Sequence, residues 1–343
     1  MDPLETWVDE LKSSFLAEVT GFAPELRYAA ETLLHRIGAS NWTLEWGLPF
    51  WLGTTFGLAD DAIRELMLCN VFGLGFVRLV DDLADGESPW PETAGVNSEK
   101  DPGWQPPSHN DGVLLQVELH HLFSRQIRWT AHRIRRSSTG KGGAHQGELH
   151  ARFFLYCYHA CIRRWLQATS ERARQPGTPF RLYTDSDFLQ LAERGAPLEI
   201  CCAAACALAG RPRALRSVAQ VIDELLVACV LLDHVYDWAV DLKAGRYNAF
   251  VAYCSDLAQC GPNRESNREA VLKELYAGDV GRSYLACIQQ YLGKASNGAA
   301  TIRCGGLVEF IRTLGEEISG YWSRLAAEVA KTGGTFLTRL DTG

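Results

Sequence analysis

Apolar residues recur along this chain at intervals of three and four, and strand-like alternation is hard to find. That spacing belongs to helices that each bury one face. It predicts helices over 59–85, 112–136, 149–174, 185–209, 213–244, 266–293 and 301–331. Stretches rich in Pro, Gly and Ser interrupt the pattern at 86–110, at 137–148 (SSTGKGGAHQGE) and at 174–180 (RQPGTPF). Helical segments of similar character flank each stretch, so these are loops rather than domain linkers, and no internal repeat is visible. The expectation is an all-α protein: one domain over residues 1–343, with flexible loops near 86–110 and 137–148. Its architecture is a single large bundle of roughly ten helices surrounding a central apolar cavity.

Composition narrows the class. With 47% hydrophobic and 22% charged residues, the chain reads as globular with a sizeable core. A net charge of -7 argues against a nucleic-acid partner, because phosphate backbones reward basic surfaces. An acidic protein still accepts an anionic substrate where bound metal ions reverse the local field. The 11 cysteines are scattered without a CxxC. Cys157 and Cys161, one helical turn apart in an apolar stretch, read as buried free thiols. The opening MDPLETWVDELKSSF has neither the basic segment nor the apolar run of a signal peptide, and no window approaches a membrane span. The expectation is a reduced, soluble, cytoplasmic protein.

Two acidic clusters carry the candidate chemistry. In VFGLGFVRLVDDLADGE (71–87) an apolar helix ends on Asp81, Asp82 and Asp85, with Arg78 the basic residue one turn back. Carboxylates at a helix C-terminus oppose the helix dipole and repel one another, which a cation relieves. Carboxylate oxygens are the hard ligands that Mg²⁺ prefers, one or two at a time, together with substrate phosphate. In VIDELLVACVLLDHVYDWAVDLKAGRYNAFV (221–251), Asp233, Asp237 and Asp241 recur every four residues on a slowly drifting stripe. The apolar run before Asp233 predicts that this carboxylate lies deep in the bundle, where only basic partners or metal compensate it. Two such helix ends in an all-α chain suggest facing sites around one cavity.

These residues resemble a family. DDLAD at 81–85 is similar to the DDxxD motif of class I terpene synthases, and DHVYDWAVD at 233–241 resembles their second metal motif, NDxxSxxxE, with Asp233, Asp237 and Asp241 at its ligand positions. The likeness runs on through Gly245 and the Asn of YNAFV, and covers the chain from about residue 40 to 325. It departs in the all-aspartate second motif, which drifts toward prenyl-condensing enzymes. Val240 also stands where the family has a basic residue, and a C-terminal Arg-Tyr pair is not evident among Arg312, Tyr321 and Arg324.

The resemblance implies a class I terpene synthase. All six aspartates would hold Mg²⁺, with Mn²⁺ as the substitute, and so ionise an allylic isoprenyl diphosphate such as farnesyl or geranylgeranyl diphosphate. Carbocation cyclisation and diphosphate release would follow. It assigns Arg194, beside the helix-breaking Pro197, as diphosphate sensor. Lys243 and Arg246 would be further phosphate donors, and homodimers are common among such bundles. Phe72 and Phe76 are expected to face the pocket, with Trp42, Trp46 and Trp51 as further aromatic candidates for a cation. The alternative on the same fold is a prenyl-condensing synthase. A di-iron bundle has only Glu118–His121 as an ExxH pair, and a non-catalytic helical scaffold would leave the acidic clusters unexplained.

Overall fold

The computed structural model describes residues 3–39, 44–84, 88, 90, 107–137, 143–173, 185–244, 248–257, 279–320 and 323. Among these there is no strand. The helices are α1 (Pro3–Phe22), α2 (Arg27–Ala39), α3 (Leu44–Phe56), α4 (Asp60–Ala84), α5 (His109–Ser137) and α6 (Gly143–Ala173). They continue with α7 (Asp185–Ala192), α8 (Leu198–Leu208), α9 (Leu215–Ala244), α10 (Ala249–Leu257) and α11 (Asp279–Thr301). A last helix, α12, occupies 305–320. The chain divides into two compact units, one of Met1–Thr169 with Gly195–Ala219, the other of Ser170–Arg194 with Gln220–Gly343.

In the first unit α4 is the spine, packed by α1, α3, α5 and α8. Its residues from Ala62 to Leu79 are buried on more than one side, as a central helix requires. Phe72 stacks on Phe15 of α1 with ring centroids 5.1 Å apart. In α8 every residue from Leu198 to Ala207 is buried, and its small Ala and Cys side chains suit it to pack on both α3 and α4. Pro49 lies inside α3 and has no N–H to offer the Glu45 carbonyl four residues back. The amide of Asn70 on α4 donates to that carbonyl instead, at 2.7 Å. This buried bond pins α3 to α4.

In the second unit α10 packs on α11, with Phe250 edge-on to Tyr284 at 5.2 Å. A Cβ on Gly298 of α11 would lie 2.5 Å from Val221 Cγ2 on α9, so the glycine permits a close helix approach.

The predicted boundaries hold for α4, α5 and α9 within a few residues. The segment 185–209 is a helix broken at Glu193–Pro197, where proline ends regular hydrogen bonding. One stretch read as a break, and the interval left between the predicted helices 266–293 and 301–331, are helical. Part of 137–148 opens α6, and 294–300 lies inside α11, which stops instead at Arg303 with φ 60°. The periodicity missed α1, α2, α3 and α10; α3 is apolar on all sides and presents no single stripe. Residues 266–278 lie outside the described residues.

Candidate functional site

The last turns of α4 present Asp81 and Asp82, both half-buried. Asp82 Oδ2 accepts a 2.6 Å hydrogen bond from Arg36 Nη1 on α2, a charge-assisted pair. Asp81 Oδ1 accepts from Thr169 Oγ1 on α6 at 3.2 Å. Arg78 turns to Glu45 Oε1, 3.5 Å away, rather than to the aspartates one turn on. Glu45 is 8% exposed, and burial pushes its carboxyl up to about 7 against the opposing pull of Arg78. Asp85 lies outside the described residues.

Further down α4 in the same unit, Phe76 sits edge-on to Trp165 at 5.8 Å and tilted against His120 at 5.1 Å. Below it a cavity with room for about one water is lined by Leu66, Asn70, Gly73, Phe123, Ile200 and Ala204, with Cys69 and Cys201 beside them. Phe72 and Phe76 do not line it. Phe72 is fully buried against α1, because on α4 its direction differs from that of Asn70 and Gly73. Trp46 is buried and Trp51 half-buried on α3, and Trp42 lies outside the described residues.

In the second unit α9 carries the other three aspartates. Asp233 and Asp237 are exposed and Asp241 is 6% exposed. The expectation that Asp233 lies deep in the bundle is therefore corrected: it is exposed. Leu231, Leu232 and Val235 hold the buried side, and Asp233 points away from them. A four-residue repeat on a 3.6-residue helix drifts by about 40° per step, so two steps carry the stripe from solvent into the core at Asp241.

There Asp241 Oδ2 accepts from Asn248 Nδ2 at 2.9 Å. The same nitrogen donates to the His234 carbonyl at 2.9 Å, and the Ala249 N–H donates to His234 Nδ1 at 3.1 Å. Burial, then the charge of Arg194, lowers the His234 pKa to about 4. The ring is therefore neutral near pH 7 and carries its proton on Nε2. Arg194 occupies the short turn Glu193–Gly195 between α7 and α8, in the predicted helix break, and Lys243 is exposed in the last turn of α9. Arg246 lies outside the described residues, as do Gly245, Tyr321 and Arg324.

Among the described residues no three His, Cys, Asp or Glu side chains close on a common point. An all-protein cage is also not what Mg²⁺ takes, since it binds through one or two carboxylates and keeps water and phosphate oxygens. The donor chemistry at each helix end fits that ion: one or two carboxylates apiece, with Asp241 oriented by a neutral amide. Sequence reasoning missed Arg36, Thr169, Glu45, His234 and Asn248 as partners. The first pairing bridges 46 residues of chain and leaves no local signal. Asn248 was visible in the motif, but its bonds were not.

No protein-family model matches the chain, and no curated protein matches it. Solved structures do. A geranylgeranyl pyrophosphate synthetase from the archaeon Geoglobus acetivorans aligns over 91% of this chain and 99% of its own, with TM-score 0.63 and 13% sequence identity. A geranylgeranyl pyrophosphate synthase aligns over 95% and 99%, with TM-score 0.62 and 12% identity. At such identity the likeness defines the fold. The chain shares the all-α fold of these two structures. No helix among the described residues is long and apolar enough to cross a membrane.

Proposed function

We propose that this chain is one catalytic domain that ionises an allylic isoprenyl diphosphate with divalent metal and joins the resulting cation to a second isoprenyl unit. The carrying observation is the pair of aspartate-bearing helix ends, on α4 and α9, within a fold shared with two geranylgeranyl pyrophosphate synthases. Asp81, Asp82, Asp85, Asp233, Asp237 and Asp241 are the carboxylates that would hold the metal, and Arg36 engages only Oδ2 of Asp82.

When bound, Mg²⁺ or Mn²⁺ supplies Lewis-acid neutralisation of the diphosphate leaving group. Arg194, Lys243 and Arg246 donate to the phosphate oxygens and hold the leaving group in place. The allylic C–O bond breaks with its electron pair leaving on diphosphate. The double bond of isopentenyl diphosphate then forms the new C–C bond, and a proton leaves the adjacent carbon. Apolar and aromatic side chains keep water from the cation, and aromatic faces stabilise it by about 0.5–2 kcal/mol each.

A second reading, cyclisation of one allylic diphosphate by a class I terpene synthase, is favoured by the Gly245 and YNAFV continuation of the second motif. Diphosphate release and product chromatography separate the two. Condensation requires farnesyl or geranyl diphosphate with isopentenyl diphosphate and yields longer diphosphates, whereas cyclisation yields hydrocarbons or alcohols from the allylic substrate alone. Asp81→Ala and Asp237→Ala are expected to lower either activity at least about 100-fold, the scale on which a stabiliser of leaving-group charge acts. Wild-type rates in both variants would defeat both readings.

A further inference from the structure

We infer that Asn248 is a positioning residue of the second acidic motif, holding the Asp241 carboxylate in the orientation that receives divalent metal; this rests on the metal-dependent reading above. Asn248 is fully buried and immediately precedes α10. Its Oδ1 accepts the Val251 N–H at 3.1 Å, the bond of an N-cap. Capping alone needs only that oxygen, and serine, threonine or aspartate would provide it equally well. The asparagine adds two donors from Nδ2, one to Asp241 Oδ2 and one to the His234 carbonyl, each 2.9 Å.

The orientation of the amide is decided by its partners. Turned over, its oxygen would meet a carboxylate and a carbonyl while its nitrogen met the Val251 N–H, losing all three bonds. The neighbouring Ala249 N–H to His234 Nδ1 bond adds a further tie. The start of α10 is therefore fastened to α9 at His234 and, seven residues on along the same helix face, at Asp241.

The chemistry of the donor separates Asp241 from Asp82. Arg36 brings a full positive charge to the Asp82 carboxylate. The Asn248 amide is neutral, so this bond orients the Asp241 carboxylate without itself supplying a counter-charge.

The test measures Mn²⁺ binding to the full chain by electron paramagnetic resonance, with inorganic pyrophosphate present, at a temperature where each variant is folded by circular dichroism. Asn248→Ser and Asn248→Asp both keep the capping oxygen and remove the donors. Each is expected to weaken Mn²⁺ binding roughly 10- to 100-fold, the range for loss of a group that orients a ligand. Asp241→Asn is expected to weaken it at least as much, and the Asn248→Ser/Asp241→Asn pair no further, because Asn248 acts through Asp241. If Asn248→Ser and Asn248→Asp bind Mn²⁺ within about 3-fold of wild type while Asp241→Asn does not, the asparagine is only a cap and the inference is overturned. If Asp241→Asn also binds as wild type does, Asp241 is no ligand, and the metal assignment to this motif falls with it.

Discussion

Glu45 shows how one residue identity propagates. Pro49 deprives its carbonyl of the usual helical donor, Asn70 replaces that donor, and the side chain is carried inside to meet Arg78. The carboxyl is held up to about 7, so the folded protein binds a proton more readily at this position than the unfolded chain does. Stability associated with Glu45 is therefore fully present below about pH 4.5 and is lost as pH rises through 7. Glu45→Gln removes this dependence. Relative to wild type, the variant is expected to gain stability between pH 5 and pH 8, by up to roughly 3 kcal/mol for a shift of this size. Urea unfolding of both proteins at the two pH values measures it, and parallel pH dependences would refute the assignment. Nothing around Glu45 in the sequence announces a buried acid; its partners come from α4.

Among the helices, two glycine-bearing stretches fall where no helix was predicted. SSTGKGGAHQGE reads as a break because Gly and Ser favour turns, and KASNGAA lies between two predicted helices. Gly147 lies inside α6, where a Cβ would strike the backbone carbonyl of Arg135 on α5, and Gly298 lies inside α11, against Val221 of α9. These glycines serve close helix packing, and composition alone cannot separate that use from a loop. Gly147→Ala is expected to destabilise by about 1–3 kcal/mol through overpacking, despite the better helix propensity of alanine. Gly293 on α11 is exposed with open space around its Cβ position, so Gly293→Ala is expected to stabilise by about 0.5–1 kcal/mol. Thermal unfolding of the two variants checks the contrast. A stabilising Gly147→Ala would show that the α5–α6 approach can relax.

At the scale of the molecule, a ligand that binds only the folded state raises stability by mass action. Mg²⁺ with inorganic pyrophosphate, at 100 times the dissociation constant, is expected to add about 2.7 kcal/mol. For a chain of this size that is a rise of several degrees in Tm. Neither component alone is expected to match the pair, because the carboxylates hold the metal and the metal recruits the anion. Differential scanning calorimetry with each and with both gives the answer. An unchanged Tm with both would count against a diphosphate-metal site anywhere in the chain.

The order of apolar and polar residues by itself determined the helical class, most helix positions, the break at Pro197 and the two aspartate-bearing helix ends. All of these follow from interactions among residues a few positions apart, which periodicity and propensity record. Tertiary structure alone decided that Asp82 meets Arg36, that Arg78 turns to Glu45, that Phe72 packs on Phe15, and that Asp241 rather than Asp233 is the buried member of its stripe. A partner on another helix is chosen by how whole elements pack, and a drift of about 40° per repeat decides which of three identical side chains turns inward.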